Sequence, residues 1–220
     1  MAKTHRGTLV TFEGTEGSGK STLIRYLQAA LEKQGISVVS TREPGGNAVS
    51  EKIRETVLSL TMNPWTEILL YEAARAENTA QCMIPALEKG SIVLCDRFTD
   101  SSLAYQSYAR GLPWKKVQLL NQLATQGIEP DLVVFLDIDP KVGLLRAQDS
   151  NRFEEEGVEF QRKVRRGFLK ARQENPKKWL TVKIHQQTPE QLTETVLKIL
   201  FERLRMGNKT SGQKRRRSKP

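Results

Sequence analysis

Cysteine is scarce in this chain: two residues in 220, Cys82 and Cys95. Two thiols that far apart cannot supply the closely spaced ligands of a metal knuckle, and both stand in apolar contexts where a buried, inert thiol is expected. Long hydrophobic runs are missing too. The stretch from Ile128 to Leu136 is among the longest, yet charge and proline interrupt it, and it falls far short of the ~20 residues a membrane helix needs. The opening MAKTHRGTLV lacks the basic, apolar and small-residue series of a secretory leader, so a cytoplasmic protein without a membrane partner is expected. What remains, 38% hydrophobic and 27% charged residues, is the composition of an ordinary globular domain with one sizeable core.

The end of the chain lacks acidic residues and is strongly basic. Beyond residue 206 the sequence GNKTSGQKRRRSKP holds Lys209, Lys214, Arg215, Arg216, Arg217 and Lys219, which account for +6 of the net +10 and leave the body at +4. Such a segment buries no apolar surface, so residues 207–220 are expected as a basic, disordered tail. A nucleic-acid contact through it is conceivable, but a solvated extension is the favoured reading.

Read for period, residues 1–206 alternate strands with helices. Thr8 to Phe12, Ile36 to Ser40, Ser91 to Cys95, Leu132 to Leu136 and Leu180 to Ile184 are short β-rich runs. Between them lie helical patterns: Leu23, Ile24, Leu27 and Leu31 recur at helix spacing before Gly35, and Thr188-Pro189 is a good start for a last helix. Repeated βα units with apolar strands predict an α/β fold: a five-stranded parallel sheet with helices on both faces. In such a sheet, ligands bind beyond the carboxyl ends of the strands. Those positions carry GTEGSGKST, TREPGG, DRFTDSS and DIDP.

The first of these is G-x-x-x-x-G-K-[ST], lying between a predicted strand and a predicted helix. Gly14, Gly17 and Gly19 permit positive φ and close backbone approach to phosphate, and Thr15, Glu16 and Ser18 complete the loop. Lys20 is expected on the β and γ phosphates, Ser21 on Mg²⁺, and Thr22 on the α phosphate or as a cap. Asp137, ending the fourth strand, either helps hold Mg²⁺ through water or is structural; Asp139 before Pro140 starts the next helix. A phosphate loop alone does not distinguish a kinase from a GTPase. The guanine-reading Asn-Lys-x-Asp segment of a GTPase is missing, since Asn208-Lys209 is followed by Thr-Ser. Instead Arg42, Arg75 and Arg97 gather near strand ends, more cation than one triphosphate needs, and Arg97 is placed to fork onto a second phosphate unless it merely pairs with Asp96. Tyr71 and Arg75 share a helix face as a platform for a base or as core.

FEGTEGSGKST, TREPGG, LLYEAAR, DRFTDSSLAYQ, PDLVVFLDIDPKVGLLR and NRFE, in this order, resemble bacterial thymidylate kinases, nucleoside monophosphate kinases of P-loop NTPase type with three layers and a short lid. The resemblance runs from about Leu9 to Leu204. It implies phosphoryl transfer from ATP to dTMP with Mg²⁺, a homodimer, and a domain at 1–206 with its lid at about 146–157. It implies Arg97 on the dTMP phosphate, Tyr71 stacked on thymine where the family usually has Phe, and Arg75 on a base carbonyl. It further implies Ser102 at the base edge, Tyr105 and Gln106 by the sugar, Glu16 near the 3′-hydroxyl and acceptor phosphate, and Arg42 along that phosphate. Glu16-Gly17 stands where one branch of the family has an acid followed by Arg, so the chain resembles the lid-arginine branch, with Arg152 as catalytic arginine and Arg146 against ATP. Arg162, Arg165 and Arg166 are read as a solvated helix face. Ser21 and Asp96 are the metal candidates. Asn151 replaces an acid usual in the lid, and Ser107, Tyr108 and Ala109 replace usual glycines. Another nucleotide kinase of this fold with a different or broader acceptor is the alternative.

Overall fold

The computed structural model describes residues 7–147, 156–184 and 187–215, with side-chain surroundings as far as residue 203. The chain forms two compact units, residues 1–185 and 186–220.

The first unit is built on a five-stranded, wholly parallel sheet, as expected: β1 (Thr8–Glu13), β2 (Val38–Arg42), β3 (Ile92–Asp96), β4 (Leu132–Asp137) and β5 (Trp179–Lys183), in the order β2-β3-β1-β4-β5. A strand covered by helices on both faces gains from apolar side chains at every position. β4 shows this, with LVVFLD buried along its whole length. The register pairs Phe12 and Arg42 with Asp96, and Glu13 with Phe135, so the strands end in one row. That row is where the site lies.

Helix α1 (Lys20–Glu32) buries Leu23, Ile24, Leu27 and Leu31 and stops at a turn closed by Gly35 at φ 73°. Helix α2 (Ala48–Ser59) is capped by Asn47, whose side chain accepts from the Ser50 amide, and α3 (Pro64–Asn78) by Asn63, with Pro64 at its first position. The sequence from Trp65 to Glu88 reads as one long helix. In the structure it is α3, a π-type turn at Thr79–Met83, and α4 (Ile84–Glu88). Pro85 has no N–H to continue the ladder and crowds the preceding turn, and the wider π turn relieves both problems.

Helix α5 (Thr99–Ser102) continues into a second π segment, Leu103–Ala109, followed by α6 (Trp114–Ala124), α7 (Pro140–Arg146) and α8 (Gly157–Glu174). The scarce aromatics gather between these helices and β4. Phe135 lies 5.4 Å from Phe168 and 5.9 Å from Trp179, and Tyr105 meets Phe160 and Phe168 edge-on. Gly167 lets α8 approach the second π segment. A methyl group there would stand 2.7 Å from the Ala104 Cα.

Two expectations near β4 divide. Asp139 does cap α7, accepting from the Lys141 amide at 2.9 Å. Asp137 is no free metal ligand, because Arg165 of α8 grips it bidentately at 2.5 and 3.0 Å. Arg165 is therefore not part of a merely solvated face. Amphipathic periodicity assigns a residue to a face of its helix and does not reveal a partner on a distant strand.

The second unit is helix α9 (Pro189–Arg215), opened by a reciprocal cap in which Thr188 and Gln191 each accept the other's backbone amide. The helix runs through the boundary expected at 206 as far as Arg215. Among the described residues no helix is long and apolar enough to cross a membrane.

Candidate active site

The loop from Gly14 to Gly19 leaves β1 and enters α1 through three positive-φ glycines. Gly17 is the most constrained. At φ 65° its missing Cβ would fall 1.9 Å from the Gly143 carbonyl oxygen, and a Cβ on Gly143 would meet the Glu16 carbonyl at 2.4 Å. Loop and helix α7 thus touch backbone to backbone. Gly17→Ala must move one of them, at a cost of ~3 kcal/mol of strain, which corresponds to about 10²-fold in an equilibrium constant. The expected result is a fall of that size in the folding equilibrium constant, read by chemical denaturation, with a single cooperative transition retained.

Lys20 is buried, and its Nζ donates to the carbonyls of Gly14 (3.2 Å) and Thr15 (3.1 Å) and to Ser18 Oγ (3.2 Å). Burial first, and then Arg97, lower its pKa against the opposing pull of Asp96, Glu16 and Glu13. Thr15 and Ser18 are buried, Thr22 half-buried and Ser21 exposed. Ser21 Oγ donates to Asp96 Oδ2 at 2.6 Å.

Arg97 follows β3 in the left-handed region, at φ 66°. Its guanidinium donates to the Gly14 carbonyl at 3.0 Å and to Glu16 Oε1 at 2.7 Å, and lies 5.0 Å above the Tyr105 ring. The Tyr105 hydroxyl donates to the same Glu16 oxygen at 3.1 Å. Asp96 and Arg97 are adjacent in sequence yet serve different partners, so the simple surface pair is not made. Burial would push the Glu16 carboxyl up, but Arg97 and Lys20 together hold it below the usual range.

Beyond Arg97 opens a pocket lined by Glu16, Glu43, Pro44, Arg54, Leu58, Tyr71, Arg75, Arg97, Ser101, Ser102, Tyr105 and Gln106. Arg75 forms its fully buried floor. It donates to Glu43 (2.6 Å), Glu72 (2.6 Å), Ser102 Oγ (3.0 Å), Asn121 Oδ1 (2.7 Å) and the Phe98 carbonyl (3.1 Å). A buried cation needs such neutralisation. Gln106 is fixed by its bond to Glu67 at 2.8 Å.

A thymidylate kinase family model matches residues 12–196. The chain belongs to the thymidylate kinase family. A thymidylate kinase of Pelobacter propionicus is 49% identical over 80% of this chain and 86% of its own. One of Bacillus cytotoxicus is 46% identical over 90% and 99%. Among solved structures, the crystal structure of thymidylate kinase from Ehrlichia chaffeensis superposes with a TM-score of 0.73 at 30% identity, covering 88% of this chain and 98% of that one.

For this thymidylate kinase family member, the structure brings Glu16, Tyr71, Arg75, Arg97, Ser102, Tyr105 and Gln106 around one pocket, next to the loop from Gly14 to Ser21. Arg42 does not line it. Its side chain is exposed and pairs with Glu51 at 2.9 Å. Arg146 is exposed at the end of α7, and Arg152 lies outside the described residues. Reading the sequence missed Glu13, Glu43 and Glu72, three carboxylates buried against Arg97 or Arg75. Two of them stand inside quoted motifs, TREPGG and LLYEAAR. A carboxylate beside a strand-end arginine motif was the available signal.

Proposed function

We propose that the chain transfers a phosphoryl group from ATP to dTMP, giving ADP and dTDP. Membership of the family supports the reaction, and one observation carries the geometry. Lys20 Nζ and Arg97 Nη1 both donate to the Gly14 carbonyl, so the cation for the donor phosphates and the cation for the acceptor phosphate converge on one oxygen. The bonds Lys20 makes to its own loop are those it exchanges for phosphate oxygens when ATP binds.

A nucleoside monophosphate has its second phosphate pKa near ~6, so the attacking oxygen is already ionised at neutral pH and no general base is needed. The work is positioning and charge neutralisation. Arg97 forks onto the acceptor phosphate while Glu16 and Tyr105 orient it. Tyr71 stacks on the base, and Arg75, held rigid by its two carboxylates, faces the base carbonyl with Ser102 at the base edge. Gln106 and Tyr105 border the sugar. Arg152 approaches the transferring group, Arg146 the donor nucleotide, and Arg42 the outer side of the acceptor phosphate.

Ser21 and Asp96 fit Mg²⁺. They offer only hard oxygen donors in contact at the helix N-terminus, and this ion is commonly held by one or two such groups together with phosphates. When bound, Mg²⁺ neutralises charge on the donor phosphates. The enzyme works in the cytoplasm as a homodimer. Val49, Trp65, Leu69, Leu119 and Leu123 are exposed on helices α2, α3 and α6, of which α3 packs against the other two; these apolar side chains support the dimer, and sedimentation of the full chain tests it. The basic tail plays no part in the chemistry.

ADP release across dTMP, dUMP, UMP, CMP, AMP and GMP is the test. Turnover strongest with dTMP and weaker with dUMP is expected. Turnover preferring another monophosphate would retain a kinase with a different acceptor.

A further inference from the structure

Glu13 ends β1 with no exposed surface and does not line the nucleotide pocket. A carboxyl group inside a parallel sheet is costly unless its oxygens are satisfied. Both are: Oε1 accepts from the Phe98 amide at 2.9 Å, and Oε2 meets Ser101 Oγ at 2.6 Å. These partners stand on the far side of the turn that carries Arg97. On its near side the Arg97 amide donates to the Phe12 carbonyl at 2.9 Å. The end of β1 therefore clamps the turn before and after its one strained residue.

That strain is real, because a side-chain-bearing residue in the left-handed region costs ~1–2 kcal/mol and persists only where its surroundings over-determine it. The clamp also reaches the guanidinium: Ser101 Oγ lies 3.4 Å from Arg97 Nη1. We infer that Glu13 is a positioning residue, which touches no substrate and acts through Phe98 and Ser101 to aim Arg97 at the acceptor phosphate. This rests on reading Arg97 as the acceptor clamp. Burial, and then nearby Asp100, push the Glu13 carboxyl up to about 8, so glutamine matches it in shape and in charge at neutral pH.

The test compares Glu13→Ala and Glu13→Gln, each with and without Arg97→Ala, by initial rates in dTMP and ATP. Ligand-free amide exchange of the peptide spanning 97–103 is measured in parallel. Glu13→Ala is expected to raise KM for dTMP by about 10-fold or more, the equivalent of the lost restraint, with KM for ATP within threefold. Glu13→Gln is expected to stay near wild type. In the Arg97→Ala background Glu13→Ala adds nothing further, since it acts through that side chain. Exchange of the 97–103 amides speeds up in the alanine variant and is restored by glutamine. Equal rises in both KM values, an additive double mutant, or unchanged exchange would overturn the inference. If Arg97→Ala itself leaves KM for dTMP unaltered, the acceptor reading falls, and exchange alone then decides whether Glu13 holds the turn. Should Glu13→Ala not fold, Glu13→Asp, one methylene too short, is expected to shift the same readouts in the same direction.

Discussion

Arg97→Ala is expected to lower kcat/KM for dTMP by about 10³-fold. A guanidinium forked onto a phosphate makes two charge-assisted hydrogen bonds, each worth ~1.5–3 kcal/mol, and ~1.4 kcal/mol corresponds to a factor of ten. Loss of both lies between about 10² and 10⁴. On the proposed role the loss should appear largely in KM for dTMP, since a clamp on the acceptor acts before any bond changes, while KM for ATP changes by no more than about threefold. Lysine is not expected to rescue. Its single ammonium cannot reproduce the planar fork, in which Arg97 reaches the Gly14 carbonyl from Nη1 at 3.0 Å and Glu16 from Nη2 at 2.7 Å. Steady-state rates with each substrate varied in turn decide the matter, and an effect falling equally on both substrates would count against the assigned role.

Arg75→Leu is expected to be the most destabilising single change in the pocket. The substitution removes the cation bonded to Glu43 and Glu72 while leaving both carboxyls in place, Glu43 at 4% and Glu72 at 6% exposure. Breaking a buried pair from one side costs ~3–5 kcal/mol. In a protein of this size that is a drop of about 10 °C or more in melting temperature. The penalty should grow with pH. Burial already pushes the Glu43 carboxyl up, with Arg75 opposing, so removing Arg75 raises it further. A carboxyl raised in the folded state contributes its stability below its unfolded pKa and loses it as pH rises through the folded one. The melting temperatures of variant and wild type should therefore diverge from pH 5 to pH 8. Adding Glu43→Gln to Arg75→Leu should recover part of the loss, since the two residues are in contact and their effects are coupled. A gap independent of pH would mean that the cost comes from lost packing rather than from stranded charge.

Glutamate shows where a linear reading stops. Glu16 is legible because it stands inside a phosphate loop, whose glycine spacing has one structural meaning. Glu13, three residues earlier, follows an apolar run and reads as the polar end of a strand. Its weight comes from Phe98 and Ser101, which lie 85 and 88 residues away. Arg97 could be placed from the strand that precedes it, but its left-handed backbone could not. Arg42 shows the converse: the resemblance put it on the acceptor phosphate, and a neighbour nine residues along, Glu51, takes its side chain.

The sequence by itself determined the order of strands and helices, the phosphate loop and the row of strand ends where ligands bind. These depend on local spacing: apolar period, glycine and proline positions, and caps within a few residues of what they cap. The partners of each buried charge were decided only by the tertiary structure. Asp137 went to Arg165, Arg75 to Glu43 besides Glu72 one turn away on its own helix, and half-buried Asp96 to Ser21 rather than to its neighbour Arg97. A charge removed from water must be neutralised by whatever the fold brings within about 3 Å. Apart from pairs one helix turn apart, such as Glu72 and Arg75, which groups those are follows from sheet order and helix packing, and chain spacing carries no record of either.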